Sequence, residues 1–249
     1  MGIMDDLKIY VCSHKDFKWD LVNKEPFTIL NSKLIEENKY SEIEYSLAEI
    51  YHLYYIYTNK LNDSRYIGLN QYRKIFNIFD KDIEYDVNHY DIILPNKLDF
   101  RRRNVYQQVI DCSSKKLFNS MLDVMVELYP EYKEDKDYVL RQHKFYAYNM
   151  FIMNYDKLGK YCKWLYSIID EYIKRMDFEK YDNIYHYVDT NRSEFPIVDH
   201  HKNPYYASVK QSTRFIGGYV ERLFDIYIHH NFKNIKEYDI IRSGEKQTL

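Results

Sequence analysis

Arg65-Tyr66-Ile67-Gly68-Leu69-Asn70-Gln71-Tyr72-Arg73-Lys74-Ile75-Phe76 is the stretch whose reading decides the fold. Tyr66, Ile67 and Leu69 form a β-prone run, and Gly68 removes a side chain where a second backbone or a ligand can approach closely. Asn70, Gln71, Tyr72, Arg73 and Lys74 follow at once, bringing amide, phenol and cationic donors together. A buried strand that ends in a polar, cationic tip fits an open α/β sheet, where ligands bind outside the carboxyl ends of strands. Donors of this kind suit an anion such as a phosphate. The competing reading is a strand ending in a solvated loop, since Arg-Lys pairs are common on surfaces.

The flanking sequence extends the α/β pattern. Upstream, Asn62-Asp63-Ser64 reads as a turn, and residues 45–59 as a helix with Leu47, Ile50, Tyr51, Tyr54 and Tyr55 at helical spacing. Residues 7–12 read as a first strand, ending in Ser13-His14-Lys15, with a loop through Asn31. Downstream, residues 91–94 read as a strand stopped by Pro95, and 105–129 as a helix ended by Pro130. Residues 131–137 read as a charged loop and 145–153 as β-prone. Asp156 is expected to cap a long helix through Leu158, Cys162, Leu165, Ile169 and Ile173. Residues 178–211 show no clear period, and 212–230 form a last helix interrupted or preceded by Gly217-Gly218. Strands alternating with helices predict one α/β domain over 1–249 with a mostly parallel central sheet. Its core is expected at about 7–232, with a C-terminal tail at 233–249.

Composition narrows the class. The chain has 249 residues, 45% hydrophobic, with 29 Tyr and 2 Trp, so much of the core is Tyr whose hydroxyls need partners. Lys plus Arg is 36 against 38 acids, a net charge of -2, which argues against a nucleic-acid binder. Three widely spaced cysteines, Cys12, Cys112 and Cys162, read as reduced core thiols. The acidic N-terminus is not a signal peptide, and no apolar run is long enough to span a bilayer, so the expected location is the cytoplasm. Arg101-Arg102-Arg103 could hold the protein against the inner face of a membrane.

Six motifs in order carry a resemblance. They are His14-Lys15 after the first strand, the helix Glu49-Ile50-Tyr51-His52-Leu53-Tyr54-Tyr55-Ile56-Tyr57-Thr58-Asn59, the stretch from Tyr66 to Phe76, Ile93-Leu94-Pro95-Asn96-Lys97, Tyr148-Asn149-Met150-Phe151-Ile152-Met153, and Gly217-Gly218-Tyr219-Val220-Glu221-Arg222-Leu223. Together they resemble a bacterial glycosyltransferase-like family of capsular and exopolysaccharide gene clusters, catalogued as domain of unknown function 4422. The chain departs from the family pattern at Gln71, where a His is usual, at Lys74, where an Arg is usual, and at Tyr55 and Tyr57, which replace two Trp. A Gln can hydrogen-bond but cannot shuttle a proton near neutral pH.

The resemblance implies a GT-A-like (Rossmann-like) glycosyltransferase, hexosyltransferase-type and inverting. Its donor would be a nucleotide sugar, a UDP-sugar such as galactose or galactofuranose, and its acceptor a glycan or lipid-linked glycan. The expected donor-binding residues are His14, Lys15, Gly68, Asn70, Gln71, Tyr72, Lys74 and Lys97. Arg73 and Glu221 are the expected catalytic pair, Arg73 on the leaving diphosphate and Glu221 as base. Glu49, a partner for Arg73, stands with Asn59, Asn149 and Arg222 as supporting or acceptor residues. The strand end carries no Asp-x-Asp, and Asp80-Lys81-Asp82 and Asp135-Lys136-Asp137 read as solvated runs. No cofactor is required on this reading, though Mn or Mg stays open. A non-catalytic carbohydrate-binding or assembly protein is the alternative, and a metal-dependent hydrolase built on Asp199 and His200, within the run Asp199-His200-His201, a third.

Overall fold

The structure, a computed structural model, describes residues 6–195 and 208–243. Its strands are β1 Leu7–Ser13, β2 Phe27–Asn31, β3 Tyr66–Gln71, β4 Lys74–Phe76, β5 Ile92–Pro95, β6 Leu98–Asp99, β7 Lys144–Phe145, β8 Phe151–Asn154, β9 Ile235–Tyr238 and β10 Ile240–Arg242. Its α-helices are α1 Glu44–Leu47, α2 Glu49–Asn59, α3 Ile83–His89, α4 Val105–Ile110, α5 Lys115–Leu128, α6 Lys133–Arg141, α7 Tyr155–Met176, α8 Tyr181–Thr190, α9 Val209–Ser212 and α10 Phe215–Asn231.

The central sheet runs β2-β1-β3-β8-β5-β9, with β4 and β10 continuing as a ribbon from the end of β3. β1, β2 and β3 are mutually parallel, β8 runs against β3 and β5, and β9 is parallel to β5. Only β8 in this row opposes the common direction, so the sheet is mostly parallel. The carboxyl ends of β1, β3 and β5 consequently share one edge. Period-two alternation decides the faces. Tyr10, Cys12, Ile67 and Leu69 enter a large core with α2, α5, α7 and α10, while Leu7, Ile9, Val11 and Tyr66 enter a smaller core on the other face.

Several local expectations change. Residues 27–31, read as loop, are the strand β2 beside β1. The 45–59 helix breaks at Ala48 (φ 53°), a left-handed backbone that favours glycine, so Glu49 opens α2. The 105–129 helix divides at residues 111–114, where Ser114 caps α5. The charged run after Pro130 is helical because Val139 and Leu140 bury one face of α6. Asn154, not Asp156, caps α7: its side chain accepts from the Asp156 N–H. Gly217 and Gly218 lie inside α10 without interrupting it. The segment set apart as a tail supplies β9 and β10, which pair with β5 and β4.

Gly68 is also reassigned. It lies three residues before the end of β3, and a Cβ there would meet Ile9 Cγ1 at 2.9 Å and Ile152 Cγ1 at 3.0 Å. Its missing side chain lets β1 and β8 pack beside β3; it does not open the sheet to a ligand.

Candidate active site

The site is built where β1 and β3 end, facing the first turns of α2 and α10. Gln71 is its hub. Its Nε2 donates to Glu49 Oε1 at 2.5 Å and to the Tyr148 carbonyl at 3.1 Å, and its Oε1 accepts from Lys74 Nζ at 3.2 Å. Lys74 Nζ also lies 4.0 Å from the centre of the Tyr148 ring. Burial lowers the Lys74 pKa, with Arg242 adding repulsion and Glu49 and Glu221 opposing the shift. Glu49 thus takes Gln71 as its partner rather than Arg73, which is exposed and lies over the Tyr72 ring at 5.1 Å.

One face of α10 holds the connection between β7 and β8. Gly217, Glu221 and Asp225 recur every four residues and so line up on the helix. The Gly217 carbonyl accepts from Asn149 Nδ2 at 3.5 Å, Glu221 Oε1 from the Tyr148 N–H at 3.3 Å, and Asp225 from the backbone of Tyr146. Tyr148 (φ 78°) and Asn149 (φ 50°) are successive left-handed residues without being glycine. Such backbone costs about 1–3 kcal/mol per residue and persists only where its surroundings hold it. This kink interrupts the β-run expected over 145–153, leaving β7 and β8 on either side, and aims Tyr148 at Lys74. Asn149 is buried and reaches Glu49 Oε1 at 3.5 Å.

Cations gather around Tyr72. His14 meets its ring edge-on at 5.2 Å, Lys15 Nζ lies 5.5 Å from its centre, and Phe17 packs at 5.7 Å. Burial lowers the His14 pKa first, and Arg214, Lys15 and Arg73 lower it further. His52, buried on α2, anchors this turn by donating from Nε2 to the Ser13 carbonyl at 3.1 Å. Burial pushes its pKa down to about 4, so it stays neutral.

Glu221, close enough to Lys74 to feel its charge, also lines a cavity of about 330 Å³. Its Oε2 accepts from Arg222 Nη1 at 2.7 Å; the two side chains are 19% and 7% exposed. Burial raises the Glu221 carboxyl above the usual carboxylate range despite Arg222, and Glu49 raises it further. Arg222 also donates to the Gly218 carbonyl at 2.8 Å and to Gln108 Oε1, and stacks over Phe145 at 4.5 Å.

The edge therefore brings together His14, Lys15, Gln71, Tyr72, Arg73, Lys74, Glu49, Asn149, Glu221 and Arg222. It does not bring Asn59, which sits at the far end of α2, ten residues from Glu49 or about 15 Å along the axis, bonded to the Tyr55 carbonyl. Asn70 is wholly buried within β3, with both amide atoms unpartnered among the described residues. Lys97 lies over Tyr146 at 4.5 Å, toward β9, where Glu237 accepts from the Tyr146 hydroxyl. Arg214, Arg242, His52, Tyr148 and Asp225 went unread. His52 and Tyr148 lay inside motifs that carry the resemblance; Arg214, Arg242 and Asp225 arrive through contacts far apart in sequence.

The Asp-x-Asp runs lie elsewhere. Asp80 pairs with Lys81 and Asp82 caps α3, whereas Asp135 is gripped by His229 and His230 at 2.5 and 2.7 Å. Asp199, His200 and His201 fall outside the described residues. A divalent ion on a donor diphosphate needs oxygen ligands, chiefly carboxylates. The ends of β1 and β3 instead present His14, Lys15, Arg73 and Lys74, and the nearby Glu49 and Glu221 already hold Gln71 and Arg222. Among the described residues the donor set does not fit such an ion. Among the described residues no helix is long and apolar enough to cross a membrane.

The family described as Domain of unknown function (DUF4422) matches over residues 8–197. No curated protein matches. Among solved structures, a chain titled WbbM bifunctional glycosyltransferase, apo structure, aligns with a TM-score of 0.70 at 21% identity, over 96% of this chain and 46% of that one. The likeness is one of fold: α/β and GT-A-like, with the central sheet flanked by helices. This chain spans less than half the length of that structure.

Proposed function

The chain belongs to the DUF4422 family, and from that membership and the site geometry we propose that it is an inverting glycosyltransferase using a nucleotide-diphosphate sugar. The observation that carries the reading is one juxtaposition. Three cationic side chains, Lys15, Arg73 and Lys74, and the imidazole of His14 edge the sheet beside a half-buried carboxylate, Glu221, whose pKa is raised. Leaving-group stabilisation and proton abstraction need these two parts side by side.

The acceptor hydroxyl oxygen attacks the anomeric carbon. The bond from that carbon to the diphosphate oxygen breaks, and its electron pair leaves with the nucleoside diphosphate. The hydroxyl proton passes to Glu221. Arg73, with Lys15 and Lys74, meets the charge that develops on the phosphate, each charge-assisted bond contributing about 1.5–3 kcal/mol. A UDP-sugar of the galactose or galactofuranose type is the assigned donor, and a surface-polysaccharide glycan, free or lipid-linked, the acceptor. The assigned place of action is the cytoplasmic face of the membrane, where the exposed Arg101 and Arg102 would meet anionic lipid.

Gln71 bears on the alternative of a binding protein without catalysis. Its amide braces Glu49, Lys74 and the Tyr148 carbonyl. That role needs hydrogen bonds and no proton transfer, so loss of the imidazole leaves the chemistry with Glu221.

Thermal unfolding with uridine and guanosine diphosphates, with and without Mn, tests the reading. A ligand at 100 times its Kd adds about 2.7 kcal/mol, or roughly 5–10 °C for a chain of this size. Arg73→Ala should weaken diphosphate binding about 10- to 100-fold without lowering the unliganded Tm. Undiminished diphosphate affinity in that variant would remove Arg73 from the donor site; no shift with either nucleotide would sink the transferase reading.

A further inference from the structure

Gly218 has no structural reason to be glycine. Its backbone does not lie at positive φ, and apart from its chain neighbours and its own helix's backbone no atom of the described residues stands within 4 Å of the position a Cβ would take. Within a helix, glycine costs about 1 kcal/mol relative to alanine. Its neighbour Gly217 is different, because a Cβ there would meet the Leu47 carbonyl oxygen at 3.0 Å. What Gly218 does is leave open the wall of the cavity it shares with Gln108, Ser113, Gln211, Arg214 and Glu221.

That cavity, about 330 Å³, is at the small end of ligand sites, which run from about 300 to 1,000 Å³. Two lining groups lack partners among the described residues: Gln211 Oε1, an acceptor, and Arg222 Nε, a donor on a side chain more than nine-tenths buried. Unpaired buried polar atoms are costly. A hydroxyl is both donor and acceptor, so a polyhydroxylated ring can satisfy both where a purely anionic or apolar ligand satisfies at most one.

We propose that this cavity is the acceptor subsite, that it takes one saccharide ring, and that Gly218 sets its size. The proposal rests on the transferase reading for the word acceptor, since Glu221 lines the cavity and would face the ring's reactive hydroxyl. The saccharide site itself stands on the cavity alone.

The test uses the full chain with Gly218→Ala and Gly218→Leu. The probes are free hexoses, 6-deoxyhexoses and their methyl glycosides, followed by saturation-transfer NMR, with uridine diphosphate binding measured in parallel. Wild-type protein should bind at least one saccharide. Gly218→Leu should weaken that binding about ten-fold or more and Gly218→Ala less, while both keep the wild-type nucleotide affinity and an equal or higher Tm. Equal saccharide affinity in the Leu variant, or no saccharide bound by the wild type, overturns the proposal even if the nucleotide binds. Saccharide binding sensitive to Gly218 in a protein that ignores every nucleotide would keep the site and discard the transferase reading.

Discussion

Replacing Glu221 by Gln separates a catalytic carboxylate from a structural one, because the structure bounds the structural cost. Gln can still accept the Tyr148 N–H through its oxygen. Its amide nitrogen would then stand where Oε2 stands, 2.7 Å from Arg222 Nη1, a donor facing a donor. Arg222 keeps the Gly218 carbonyl and Gln108. The loss is one charge-assisted bond plus part of the penalty for a buried charge left short of its counter-ion, about 2–4 kcal/mol. Folded proteins hold about 5–15 kcal/mol. Even a stability of about 6 kcal/mol reduced by 4 leaves about 97% of the chain folded at 25 °C.

A purely structural role therefore predicts a Tm lower by several degrees and turnover per mole nearly unchanged at 25 °C. A catalytic role predicts a fall of about 10²- to 10⁴-fold with diphosphate affinity retained. The assay is nucleoside diphosphate release in a single turnover from a matched donor and acceptor, beside thermal unfolding. In the wild type the acid limb of the pH–rate profile should lie above the ordinary carboxylate range, because burial raises the Glu221 pKa. The base works ionised, so the rate rises with pH through that limb, and the Gln variant should lose it. Wild-type turnover in Glu221→Gln would remove Glu221 from the mechanism.

Two further substitutions follow from the geometry. Asp225 is buried, and burial pushes its pKa up to about 6 from 3.8, so the folded state binds its proton more tightly than the unfolded chain does. Between about pH 4 and 6 the wild type should lose up to about 3 kcal/mol of stability as pH rises; Asp225→Asn should flatten this part of the Tm–pH curve and melt higher at pH 7.5, and parallel curves would contradict the assignment. Gly68→Ala should cost about 1–2 kcal/mol in denaturant unfolding, because Ile9 and Ile152 must give way, and leave diphosphate affinity unchanged; a large affinity loss at constant stability would restore a ligand-facing role.

What was legible in the sequence was whatever rests on local period. β1, β3, β5 and α7 have runs of apolar residues at strand or helix spacing, and the polar ends His14-Lys15 and Gln71 to Lys74 followed from them. β2 was hidden because only Phe27, Leu30 and Asn31 of its five residues are well buried beside a polar approach. β9 and β10 are short and half-exposed, and exist through pairing with β5 and β4. The kink at Tyr148 and Asn149 left no glycine to announce it. The partner of Glu49 was misread for a similar reason: strand alternation places Gln71 on the α2 face, while Arg73 falls beyond the strand. Arg214 and Arg242 come to the site from at least 140 positions beyond Arg73 and Lys74 in sequence, and no local pattern reports that.

The adjacent glycines show how far apart two identical letters can stand in function. Read in sequence, Gly217-Gly218 suggests flexible backbone ahead of a carboxylate. In the folded chain both are helical, and Glu221 rides on a helix of 17 residues. Gly217 allows α10 to press against the Leu47 carbonyl at the left-handed break of Ala48, and that break orients the start of α2 and so Glu49. Gly218, one residue on and turned about 100° around the helix, meets no neighbour and opens the cavity. A single turn of α10 thereby packs against the break that orients Glu49, carries the carboxylate that lines the cavity, and leaves the cavity wall open at Gly218. The rigidity of that turn is what a base must have to reach one hydroxyl in one geometry.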